Sequence, residues 1–126
     1  MKKEGTGPKY FYDTYALVEL MKGNPSYVQF VIEKDGVTSR FNLMELYRFL
    51  IKTSGKAKAD KQFDALLPFT VEFEDQDIKG AVLLKEKNLD LSYIDCLGYV
   101  AAIRLGLKFL TGDKEFSKYK NVVFVK

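Results

Sequence analysis

Lys108-Phe109-Leu110-Thr111-Gly112-Asp113 is a short apolar strand that runs straight into a turn carrying an aspartate. Near the start of the chain, Tyr10-Phe11-Tyr12-Asp13 has the same form: an aromatic strand closed by an aspartate. A last apolar run, Val122-Val123-Phe124-Val125, follows the second of these. Helical periodicity fills the space between the first two strands. Strands separated by helices imply a parallel sheet with helices on both faces. The fold expected is α/β, a three-layer α/β/α sandwich with a central, mostly parallel sheet. In such a sheet, ligands bind in the crevice beyond the carboxyl ends of the strands. Asp13 and Asp113 are therefore expected to converge there.

Working outward, Thr14 to Met21 predicts a helix stopped by Gly23, with Pro25 opening a second helix through Tyr27, Val28, Phe30 and Val31. Asp35-Gly36 predicts a turn and Val37-Thr38-Ser39 a short extended piece. Asn42 to Lys52 predicts a helix with little polar surface, followed by a basic break at Ser54 to Lys58. A helix from Asp60 to Leu67 is closed by Pro68. Phe69 to Phe73 alternates like a half-buried strand. Two more helices are expected, Asp77 to Glu86 and Ser92 to Leu105, the latter ended by Gly106.

The 126 residues suit one domain with its own core, expected over residues 9–126 behind a flexible N-terminal extension at 1–8. There is no histidine and only one cysteine, Cys96. That excludes Ser–His and Cys–His nucleophilic machinery, histidine-ligated zinc and an internal disulfide. Any metal must be held by oxygen donors, which favours hard cations such as Mg²⁺ or Mn²⁺. No apolar run is long enough to span a bilayer, and no secretory signal is visible; the expected location is the cytoplasm. The net charge of +3 says little alone. If several acids gather in one pocket, however, the remaining surface is basic, which suits a polyanionic substrate.

Two further acids stand in apolar surroundings. Glu45 lies within Phe41-Asn42-Leu43-Met44-Glu45-Leu46-Tyr47, with apolar residues at most helical offsets. Asp95 is the only acid between Leu91 and Gly106. A buried, unpaired carboxylate is costly, and a divalent cation is one partner that relieves it. Each acid also has a plainer role open to it. Asp13 with Thr14 can cap the next helix, Ser92-x-x-Asp95 fits a capping box, and Gly112-Asp113 can be an ordinary turn. Glu45 can face solvent along a polar strip with Asn42 and Arg48.

Taken together, these segments resemble a PIN domain, particularly the toxin ribonucleases of VapBC-type toxin–antitoxin pairs. The resemblance runs through Tyr12-Asp13-Thr14, Asn42-Leu43-Met44-Glu45-Leu46, Leu91-Ser92-Tyr93-Ile94-Asp95-Cys96 and Phe109-Leu110-Thr111-Gly112-Asp113. It implies Asp13, Glu45, Asp95 and Asp113 as catalytic and metal-binding acids, with the hydroxyls of Thr14 and Thr111 beside the metal pocket. It implies Mg²⁺- or Mn²⁺-dependent hydrolysis of RNA phosphodiesters, leaving a 5′-phosphate and a 3′-hydroxyl. It also implies a homodimer and an antitoxin partner. Arg40, Lys56, Lys58 and Lys61 are candidate RNA contacts, and Glu115 is a weaker extra acid. A phosphatase using Asp13 as nucleophile is disfavoured, because Asp-x-Asp is required and position 15 is Tyr. A PIN-type enzyme of RNA processing without an antitoxin, or a non-catalytic binding module, stays open.

Overall fold

The computed structural model describes residues 7–126, so most of the extension expected at 1–8 lies outside the described residues. Four strands form one sheet: β1 (Tyr10–Tyr12), β2 (Gly36–Val37), β3 (Lys108–Thr111) and β4 (Val122–Phe124). Their spatial order is β2-β1-β3-β4, and every pairing is parallel. β1 registers Phe11 on Phe109 and Tyr12 on Leu110, so the two acid-bearing strand ends lie side by side.

The helices are α1 (Thr14–Lys22), α2 (Ile32–Asp35), α3 (Arg40–Ser54), α4 (Lys56–Leu66), α5 (Asp75–Lys87) and α6 (Tyr93–Arg104). Side chains alternate across the sheet, as the two-residue period of a strand requires. Tyr12 and Leu110 face a core built with Leu17, Leu43, Leu46 and Leu66 of α1, α3 and α4. Phe11 and Phe109 face the opposite core, with Ala81, Cys96, Tyr99 and Ala102 of α5 and α6. The second core is dense in rings: Phe109 and Phe116 lie 4.7 Å apart and Phe11 stacks on Phe109 at 6.0 Å. The expected three layers are present.

Several local expectations change. Pro25 opens only a short 3₁₀ turn, Pro25–Tyr27, and the chain is extended again by Val31, where φ is −132°. Val28 is 79 % exposed, so nothing holds a longer helix there. Gly23 does end α1, with φ of 74° and its N–H bonded to the Glu19 and Leu20 carbonyls. The segment from Phe69 to Phe73 is not a strand. It makes a single bridge, Thr38 to Thr70, with Thr38 N–H donating to Phe69 O and Val71 N–H donating to Thr38 O. The basic break shrinks to Gly55, whose φ of 87° turns α3 into α4, so Lys56 and Lys58 are helical.

α3 also departs from its expected burial. Leu43, Leu46 and Leu50 are core, but Phe41, Met44 and Ile51 are 49 %, 54 % and 43 % exposed. The helix is not enclosed around most of its circumference; it presents a second apolar stripe outward.

Candidate active site

Asp13 ends β1 and begins α1. Its backbone is extended, its N–H continues the ladder to Leu110 O at 3.2 Å, and its carboxylate accepts the Ala16 N–H at 3.0 Å. It is the most buried of the four predicted acids, at 3 % exposure. Burial pushes its carboxyl up to about 7. The Thr111 hydroxyl and the Ala16 N–H oppose that rise, while the nearby charges of Asp95 and Asp113 add to it. Three of the four acids therefore feel one another across this crevice.

Asp95 is half-buried at the start of α6, where Ser92 accepts the Asp95 N–H at 3.0 Å and Asp95 accepts the Ser92 N–H at 2.9 Å. The capping box is real, and it does not exclude the site. Desolvation still raises the Asp95 carboxyl, against the Ser92 bonds and Lys85, with Asp113 adding repulsion. Asp113 follows β3 and accepts the Glu115 N–H at 3.0 Å, while its own N–H donates to Thr111 Oγ1 at 3.0 Å. Each plain capping role proposed from sequence is thus fulfilled, and each cap anchors its carboxylate at the same crevice. Gly112 is fixed by space: a Cβ there would lie 2.3 Å from both the Tyr15 ring and Val125 O.

Glu45 reaches the crevice differently. Half-buried on α3, it accepts the Thr14 hydroxyl at 2.5 Å, and Thr14 immediately follows Asp13. Thr14 in turn accepts from Asn42 Nδ2 at 3.1 Å. The Asn42 and Ser39 pair behind Thr14 is a part of the site that residue-type reasoning passed over. The spacing Ser39-x-x-Asn42-x-x-Glu45, one helical turn per step, is the signal that could have found it.

The donor set is oxygen throughout, and a buried aspartate with no salt bridge among the described residues feels the charge of two further carboxylates. That chemistry fits a hard divalent cation. Among the described residues, no group of three or more acids lies close enough together to hold a metal ion as it stands.

The candidate RNA contacts are scattered. Arg40 begins α3, 66 % exposed and only loosely paired with Glu72 at 3.9 Å. Lys56 is held by Asp60 at 2.7 Å, and Asp60 also accepts the Tyr47 hydroxyl at 2.6 Å. Lys56 and Lys58 open α4, and Lys58 lies against Phe49, Leu50, Thr53 and Ser54 in the C-terminal part of α3. Glu115 is half-buried next to Asp113, and its N–H serves that residue's cap. A groove of about 460 Å³, lined by none of the four acids, runs over Arg40, Phe41, Met44, Val71, Phe73 and Leu97, among others. No helix among the described residues is long and apolar enough to cross a membrane.

The PIN domain profile matches residues 10–122, which include all four acids. The chain belongs to the PIN domain family. Solved PIN-type structures show the same architecture at low identity. The Mycobacterium tuberculosis VapC20 toxin, described as cleaving the sarcin–ricin loop, is 15 % identical with a TM-score of 0.77, over 94 % of this chain and 100 % of its own. A toxin–antitoxin complex from Klebsiella pneumoniae matches at 18 % identity and a TM-score of 0.73, over 91 % and 96 %. The DNA-bound VapBC of Salmonella typhimurium matches at 15 % identity and 0.73, over 94 % and 97 %. No curated protein sequence matches the chain.

Proposed function

We propose that this PIN domain is a Mg²⁺- or Mn²⁺-dependent ribonuclease, the toxin of a toxin–antitoxin pair acting in the cytoplasm. The observation that carries the reading is Asp13: a buried carboxylate at the sheet's carboxyl edge, raised by burial and by Asp95 and Asp113, with no salt bridge among the described residues. Asp13, Glu45, Asp95 and Asp113 would hold the cation. When bound, the cation polarises a phosphodiester and lowers the pKa of an attacking water.

The chain's own residues do the rest. An RNA phosphate approaching four carboxylates is repelled until their charge is neutralised, so the pocket admits substrate only in the loaded state. Thr111, buried behind Asp13, fixes both Asp13 and the Asp113 backbone. Thr14 holds one oxygen of Glu45. Arg40, Lys58 and Lys61 would contact the RNA backbone, while Lys56 is occupied by Asp60.

The toxin assignment is supported by the VapC and VapBC folds and by the apolar groove over Phe41 and Met44, which suits a protein segment better than a phosphate backbone. An antitoxin covering that groove, and a homodimer, complete the proposal. The test is cleavage of a panel of structured RNAs with Mg²⁺ or Mn²⁺, with EDTA and Asp13→Asn as controls. Metal-dependent cleavage lost in the variant supports the reading; equal cleavage by both proteins overturns it.

A further inference from the structure

Asn42 stands one helical turn before Glu45 on α3, so the two side chains leave the same face. It is a polar side chain only 2 % exposed, flanked by the core residues Leu43 and Leu46. Its bonds run in one direction. Ser39 caps α3, its hydroxyl accepting the Asn42 N–H at 3.2 Å and donating to Asn42 Oδ1 at 2.5 Å. With Oδ1 taken by Ser39, Nδ2 donates to Thr14 Oγ1 at 3.1 Å. The single Thr14 proton then goes to Glu45 Oε1 at 2.5 Å. An amide NH₂ only donates and a carboxylate only accepts, so the polarity of the chain is set at both ends.

A buried amide is a costly way to fill space, since an apolar side chain of similar volume needs no partners. Among the described residues, the Asn42 side chain bonds only Ser39, the cap of its own helix, and Thr14 at the start of α1. Its bond beyond its own helix ends on Thr14, whose proton goes on to Glu45, a candidate cation ligand.

We propose that Asn42 is a positioning residue that orients Glu45 through Thr14, holding the carboxylate ready for a divalent cation. The proposal rests on the pocket being a cation site, as argued above. Without Asn42, Thr14 keeps its proton but loses the donor that fixes its orientation, and Glu45 is free to leave the crevice. Partners that orient a ligand from behind are typically worth 10- to 100-fold in metal affinity.

The experiment is Mn²⁺ titration of EDTA-stripped protein by calorimetry, with metal-free thermal stability measured alongside. Asn42→Ala should weaken Mn²⁺ binding about 10- to 100-fold. In a Glu45→Gln background the same change should have almost no further effect, because Asn42 acts only through Glu45. Thr14→Val, which keeps the shape and removes the hydroxyl, should reproduce the loss, and Thr14→Ser should restore binding. The Thr14 pair decides the matter if Asn42→Ala fails to fold. Wild-type affinity in Asn42→Ala and Thr14→Val, or losses that add in full to that of Glu45→Gln, overturns the positioning role while leaving the cation site intact. Absence of Mn²⁺ binding by the wild-type protein overturns the cation site and the positioning role with it.

Discussion

Asp13→Asn converts the most buried acid of the site into a neutral isostere that still caps α1, since asparagine accepts the Ala16 N–H as aspartate does. The wild-type carboxyl is raised to about 7 in the folded chain, chiefly by burial. In the unfolded chain it titrates near 4. Below about pH 4 both states carry the proton and Asp13 contributes nothing to the pH dependence. Between about pH 4 and 7 the unfolded chain has released the proton while the folded chain retains it, so stability falls as pH rises. Above about pH 7 the loss is complete. A gap of about three pH units at ~1.4 kcal/mol each gives a penalty of about 4 kcal/mol at pH 8. Urea unfolding in EDTA, run from pH 4 to pH 8, should show the two proteins close together in acid. At pH 8 the variant should be more stable by up to about 4 kcal/mol. Saturating Mn²⁺ should stabilise the wild type and not the variant, by about 2.7 kcal/mol at a hundredfold excess over Kd. Parallel pH curves of equal height in EDTA would refute the account of Asp13 as an uncompensated buried carboxylate.

Three further outcomes are expected. Asp95→Asn keeps a capping side chain but removes a carboxylate raised by burial, so metal-free stability should hold or rise while Mn²⁺ affinity falls, by urea midpoint and calorimetry. Arg104→Met should cost about 3–5 kcal/mol, because Asp77 is fully buried and Arg104 meets both its oxygens at 2.9–3.0 Å. Burial opposes ionisation of Asp77, but Arg104 and the Glu74 N–H outweigh it and hold the carboxyl below its ordinary range. That contribution is present at neutral pH and lost in acid, so the gap between wild type and Arg104→Met should close as pH falls. Gly112→Ala should lower stability by about 1–3 kcal/mol in the same assay, since the added carbon meets backbone at Val125 as well as a ring.

The sheet was readable because its strand ends carry their own punctuation. Tyr10–Tyr12 and Lys108–Thr111 are short, apolar and closed by an aspartate, and both fall where the reading placed them. Phe69 to Phe73 alternates as well as either of them, yet has only Thr38 to pair with; alternation shows a face, not a neighbour. For the acids, sequence ranked burial in the wrong order. Glu45 and Asp95 looked most enclosed from their apolar neighbours, but Phe41 and Met44 beside Glu45 point outward, and Asp13 at a strand end is the one sealed from water. A helix shows its apolar positions in sequence without showing which of them another layer covers. Capping and site-building also looked like competing explanations. In the fold the two are compatible: Asp13, Asp95 and Asp113 each make a capping bond at a helix start, and their charges still act on one another, as the proposed site requires.

The fit of Gly112 against Val125 makes the turn dependent on distant chain. The carbonyl of Val125 lies where a Cβ of Gly112 would stand and accepts the Tyr27 hydroxyl at 2.5 Å; its N–H donates to Thr111 O at 2.8 Å. The turn that carries Asp113 is thus braced from just beyond β4, a segment that holds none of the four acids. Val125→Pro, which has no N–H for Thr111, should loosen that turn and weaken Mn²⁺ binding although it touches no candidate ligand. Wild-type Mn²⁺ affinity in the variant would show that the brace is dispensable.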